Sequence, residues 1–246
     1  AMKSTTTGTA NVMIGYRSGH NHTTGIRNTA LGYSALYSIT EASRNTAIGH
    51  NACSSITDGG HDNTAVGSDA LTWVNNGDNN TAVGSSALLA NTTGSDNTGV
   101  GQDALKANTT GGANTAVGEN ALIANTTASD NVAIGKNSLG TNTTGNQNVS
   151  IGNYAFNANT TGSHGVAIGH NTLNDNTTGA YNTAVGFECL ENNTTASANV
   201  ALGFRAAQAN TTGANVTALG YNALLSNTTG NHNTAVGLNA LYTNTA

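Results

Sequence analysis

A unit of 17 residues recurs along almost the whole chain and limits what it can fold into. The stretch Asn80-Thr81-Ala82-Val83-Gly84-Ser85-Ser86-Ala87-Leu88-Leu89-Ala90-Asn91-Thr92-Thr93-Gly94-Ser95-Asp96 returns at Asn97, at Asn114 and onward. The glycine of Asn-Thr-Ala-Val-Gly marks 14 units from Gly15 to Gly237, spaced by 17 residues except for 18 between Gly49 and Gly67. Such a unit is too short for a helical hairpin repeat, which needs about 33 residues or more. Thr-x-Val before a glycine has the period of a strand, and glycine supplies the turn. The period predicts an all-β chain, a parallel β-solenoid or β-roll of about 14 coils, each adding one strand to the last.

Slot preferences predict which side chains face the core. The residue before the marker glycine is always aliphatic, as in Val83, Ile134 and Leu202. We expect it to point inward, and the alanine before it (Ala82, Ala116, Ala133) to point outward toward neighbouring chains. Four residues after the glycine stands mostly Leu, with Cys53, Phe156 and Ala207 as substitutes and Gly19 as the exception. Seven after it stands Asn in ten successive units from Asn91 to Asn244, where earlier units carry Ile39, Ile56 and Val74. A slot that exchanges Asn for aliphatics faces inward, and stacked Asn side chains form a hydrogen-bonded ladder. Asn-Thr-Thr also fits the N-glycosylation acceptor pattern, a reading that an inward Asn would block.

Composition narrows the functional classes. Only 8% of residues are charged and the net charge is −5, which gives no electrostatic footprint for nucleic acid. No apolar run is long enough to span a membrane, so no membrane insertion is expected. The acidic residues are scattered, and no motif for a metal, a phosphate or another cofactor occurs, so neither enzyme activity nor a cofactor is expected. Cys53 and Cys189 read as small apolar fillers about 38 Å apart along the stack, out of disulfide reach.

Three regions follow: a lead-in over 1–10, irregular repeats over 11–79 that cap or join another domain, and a regular array over 80–246. Ala1 ahead of Met2 reads as a cloning remnant. Because the array stops inside a repeat at Asn244-Thr245-Ala246, a fragment of a longer protein is expected. Specific contacts are expected where units depart from the consensus. Trp73, the sole Trp, and the inserted stretch around Thr57–Asp62 read equally as capping features and as binding features. Phe187, Phe204 and Tyr221 follow the marker glycine in successive units, as Tyr16 and Tyr33 do near the other end. Such a ladder binds sugar rings or a partner surface, or packs between chains, and packing between chains is the preferred reading. His20 and His22 flank Asn21 in a pattern that could hold a transition metal, although a solvent-facing loop is the better reading.

Asn131-Val132-Ala133-Ile134-Gly135 resembles the Ser-Val-Ala-Ile-Gly motif in the heads of trimeric autotransporter adhesins. The full unit is similar to the shaft repeats of phage tail-fibre proteins, which often carry a C-terminal endosialidase-type chaperone. The resemblance implies three chains side by side or intertwined, an extracellular, cell-surface or virion location, and a role in adhesion. The implied partners are two further copies of the chain and a cell-surface glycan or protein receptor. Independently, each coil offers little apolar bulk, which favours burying a second face in a homotrimer. A monomeric solenoid stays open as the alternative, including an ice-binding one that displays rows of Thr92-Thr93 pairs.

Overall fold

A computed structural model describes residues 6–56, 59–73 and 76–245. The chain divides into two compact units, Ala1–Thr127 and Ala128–Ala246. In the first, β1 (Val12–Ile14), β2 (Thr29–Leu31), β3 (Thr46–Ile48), β4 (Thr64–Val66), β5 (Thr81–Val83), β6 (Thr98–Val100) and β7 (Thr115–Val117) stack in chain order. In the second, β8 (Val132–Ile134), β9 (Val149–Ile151), β10 (Val166–Ile168), β11 (Thr183–Val185), β12 (Val200–Leu202), β13 (Thr217–Leu219) and β14 (Thr234–Val236) do the same. Neighbours within each unit pair in parallel one repeat apart, as Thr81, Ala82 and Val83 do with Thr98, Gly99 and Val100. The 18-residue unit does not disturb this register, because Thr46 still pairs with Thr64 and Ile48 with Val66. Of the inserted stretch, Thr57 and Asp58 lie outside the described residues, as do residues 1–5 of the lead-in and Val74.

The rest of each coil is turn, and it pairs with its neighbours as the strands do. Leu88 donates its N–H to the Ala104 carbonyl at 2.9 Å, and Thr92 to that of Thr109 at 2.9 Å. The strand ends where the marker glycine turns with φ near +134° at Gly84. A Cβ there would collide with the Gly101 carbonyl oxygen of the next coil, so the slot admits only glycine. Beyond it, Ser86 and Leu88 adopt left-handed φ of 57° and 52°. For Leu that conformation costs about 1–2 kcal/mol. Its full burial returns about 1.5–3 kcal/mol.

The interior is thin and built from small residues. Ala82, Ala87 and Leu88 are fully buried in their coil, and the same slots are buried in the others except the last, where Leu241 is exposed, with Cys53 and Cys189 among them as free thiols. The expected orientation of the strand is reversed. Ala116 and Ala133 are wholly buried, whereas Val117 and Ile134 remain 37% and 38% exposed. In a strand of three residues the middle side chain points opposite to both flanks. Leu from the turn already fills the interior, and beneath the sheet there is room for a small residue, in most strands alanine. Thr81 and Val83 therefore both face outward, and Ala82 packs inside rather than against another chain.

The expected inward asparagine ladder is present. Asn108 Nδ2 donates to Asn91 Oδ1 at 2.7 Å, and Asn125 to Asn108 at 2.8 Å. The second unit repeats it, with Asn176 donating to Asn159 at 2.9 Å and Asn193 to Asn176 at 2.8 Å. From Asn91 to Asn227 these side chains are fully buried, which closes them to glycosylation in the folded chain.

Where one core slot changes, a neighbour compensates. Phe156 replaces the usual Leu, and Gly165 in the following coil replaces the Asn that stands four residues before most marker glycines. A Cβ at Gly165 would lie 2.5 Å from the Phe156 ring, so the larger ring occupies the missing side chain's space. Gly165→Asn alone is expected to lower unfolding free energy by about 1–3 kcal/mol. With Phe156→Leu beside it, most of that loss should return. A double-mutant cycle by chemical denaturation measures the coupling, and additive effects would contradict this packing.

Candidate functional site

Three surface features stand out from the repeating frame. The first is the outward face of the sheet. In β1–β7 it carries Thr or Val in one column and Val, Ile or Leu in the next, with no charged residue in either. The same holds in β8–β14. Ion pairs lie elsewhere on the coils, such as Arg44–Asp62 at 2.6 Å, Lys106–Asp103 at 3.0 Å and Arg205–Glu188 at 2.7 Å. At about 4.8 Å per strand the face of each unit runs about 34 Å. An uncharged aliphatic face of that length is unusual on a free surface.

The second feature is the column just past the marker glycine, which borders this face. In the first unit Tyr16 stacks on Tyr33 at 5.3 Å, and Tyr33 on His50 at 5.3 Å. In the second, His170, Phe187, Phe204 and Tyr221 form a continuous stack with centroid spacings of 5.6, 5.4 and 4.9 Å. The guanidinium of Arg205 sits over the Phe204 ring at 4.9 Å while its Nε donates to Glu188. The expected ladder of Phe187, Phe204 and Tyr221 is thus formed. His170 extends it, an aromatic that the sequence reading left out of the column.

The third feature is a groove of about 400 Å³ on the irregular coils of the first unit. Trp73 forms one wall with 57% of its surface exposed. Tyr37, Asn51, Ser54 and Ser55 line its length, and Arg17 stands at the far end. Trp73 thus faces outward and does not lie over the core.

His20 and His22 do not act together. The His20 ring stacks on Tyr37 at 5.1 Å and lies near the Asn21 side chain. His22 points into the core, where it takes the slot that Asn fills in later coils. Among the described residues no group of three His, Cys, Asp or Glu side chains converges in a way that could hold a metal ion. Burial also pushes both cysteine thiols up in pKa, Cys189 to about 12, so neither is an activated nucleophile.

Neither ring nitrogen of the buried His22 has a hydrogen-bond partner of good geometry. Burial lowers its pKa, and the nearby Gly25 carbonyl opposes that shift. The folded state therefore prefers the neutral ring, while the unfolded chain titrates near 6.5. His22 contributes no penalty above that pH, and stability falls as pH drops below it. His22→Asn restores the ladder residue and should remove this part of the acid sensitivity. Thermal melts of both chains between neutral and mildly acidic pH test it, and parallel losses in both would contradict it. Compared with known proteins, the chain matches no family model and no curated protein.

Proposed function

We propose that this chain is a non-enzymatic structural segment of an extracellular fibre, in which three copies pack through their sheet faces and present the variable coil surfaces to a receptor. The uncharged outward face of β1–β7 and of β8–β14 carries this reading. All-parallel sheets are otherwise found with both faces covered. Here one face covers the thin core, and the other displays Ile48, Ile134, Ile151 and Ile168. The aromatic stacks border the face and extend its apolar surface, which suits packing between chains. The trimer is the assembly of the adhesin heads that the Asn-Val-Ala-Ile-Gly motif resembles, and burying the second face supplies the apolar contact that a single coil lacks.

A second reading, a monomeric ice-binding solenoid, draws on one observation. Six threonines from Thr29 to Thr115 stand in one outward column. The Thr92-type rows do not serve it, because the Thr92 hydroxyl donates to the Thr109 carbonyl at 2.9 Å.

Light scattering on the purified chain separates the two. The fibre reading predicts three times the chain mass of 24.5 kDa. Ile134→Lys combined with Ile168→Lys should yield a folded monomer, with strand content retained by circular dichroism. A wild-type monomer at micromolar concentration would contradict the trimer, and thermal hysteresis in that monomer would favour the ice-binding reading.

A further inference from the structure

We propose that the groove on the first four coils binds an acidic saccharide, with a sugar ring stacked on Trp73 and the acid group at Arg17. This deepens the presenting role proposed above and rests on it for its setting. Three columns of the solenoid build the groove. Arg17, Ser34 and Asn51 stand two residues after their marker glycines, Tyr37 and Ser54 five after, and Ser55 and Trp73 six after. In the three coils that follow, the last of these columns carries Ala90, Ala107 and Ala124. Ser55 and Trp73 therefore stand where the coils that follow carry alanine, in a slot that lies outside the core.

The lining selects the ligand class. None of the groove's lining residues is aliphatic, so it offers nothing to an apolar peptide side chain. It offers an exposed indole, against which the C–H face of a pyranose packs. It offers hydroxyls as well, and those of Ser54 and Ser55 make no side-chain hydrogen bond among the described residues. Its volume of about 400 Å³ lies within the range of about 300–1,000 Å³ that accommodates small ligands. From Arg17 to Trp73 is three coil steps, about 14 Å, which suits a short oligosaccharide better than one ring.

Charge orients that ligand. Arg17 is exposed, packs its guanidinium 5.3 Å from the Tyr16 ring, and has no ion-pair partner among the described residues. Its planar donors match a carboxylate. At the Trp73 end, Asp69 accepts from Asn51 Nδ2 at 3.1 Å and disfavours a second anion. The acid therefore lies toward Arg17 and the neutral ring toward Trp73. His20 backs the groove by stacking on Tyr37 and fixing its ring.

Because Trp73 is the only tryptophan, its fluorescence reports on this groove directly. The test titrates the full chain with sialyllactose, hyaluronan oligosaccharides and polyglucuronate oligosaccharides, with lactose as the neutral control. At least one acidic saccharide should change the emission saturably, and lactose should bind about tenfold or more weakly than that ligand. Calorimetry on variants should show binding lost in Trp73→Ala and largely kept in Trp73→Phe. Arg17→Ala should weaken the acidic ligand to the level of lactose. The proposal is overturned if no acidic saccharide gives a saturable change, or if lactose binds equally and Arg17→Ala has no effect. Both side chains are exposed, so their loss does not threaten folding. A trimer indifferent to these saccharides overturns this inference alone, whereas a monomer that binds them overturns the trimer alone.

Discussion

In most regular coils one backbone carbonyl accepts two buried asparagine amides, and the stack depends on that junction. The Gly94 carbonyl takes Asn80 Nδ2 at 2.9 Å and Asn91 Nδ2 at 2.8 Å. The Gly111 carbonyl does the same with Asn97 and Asn108, and in the second unit the Gly162 carbonyl with Asn148 and Asn159. The acceptor oxygens of these amides reach the neighbouring coil: the backbone N–H of Asn97 donates to Asn80 Oδ1 at 3.0 Å. Both lone pairs of the carbonyl are used and the amides are satisfied. A buried polar core therefore costs little here, whereas one missing member would leave partners unpaired at about 1–3 kcal/mol.

That junction sets the thickness of the coil and hence its chemistry. A cross-section held by two asparagines, two alanines and one leucine has no room for the β-branched residues of the strand. They stand outside and form an uncharged face along each unit. One polar change inside the core is a compensating pair: Ser138 donates to Ser150 at 2.7 Å where alanines usually sit. The variable slots lie on the remaining sides. The same economy that makes the coils uniform thus leaves an uncharged face on one side and the variable residues, Trp73 and Arg17 among them, on the others.

Much of this was legible in the sequence, for identifiable reasons. The glycine period gave the coil and its parallel register, since 17 residues leave room for little else. The inward direction of Asn91 followed from Ile39 and Ile56 in the same slot. The direction of Val83 did not follow. Alternation says that Ala82 opposes Thr81 and Val83, but not which side is interior. Deciding that required knowing that Leu88 reaches the core from a left-handed turn, a conformation no propensity assigns to leucine. The second asparagine ladder was also missed, although Asn occupies its slot in twelve of fourteen units. Its position next to the strand made it look like part of the motif rather than a second wall of the core. The groove was half visible: Trp73 broke the pattern, but only the stacking of coils brings Arg17, from three units earlier, into line with it.

The inside-out strand is the claim on which the account turns. Single cysteines placed at 132, 133 and 134, with Cys53 and Cys189 replaced by alanine, test it most directly. The account predicts that Ala133→Cys stays unreactive in the folded chain. Val132→Cys and Ile134→Cys should be modified by a small thiol reagent or joined to a second chain by oxidation. A reactive cysteine at 133 with silent ones on either side would contradict the arrangement.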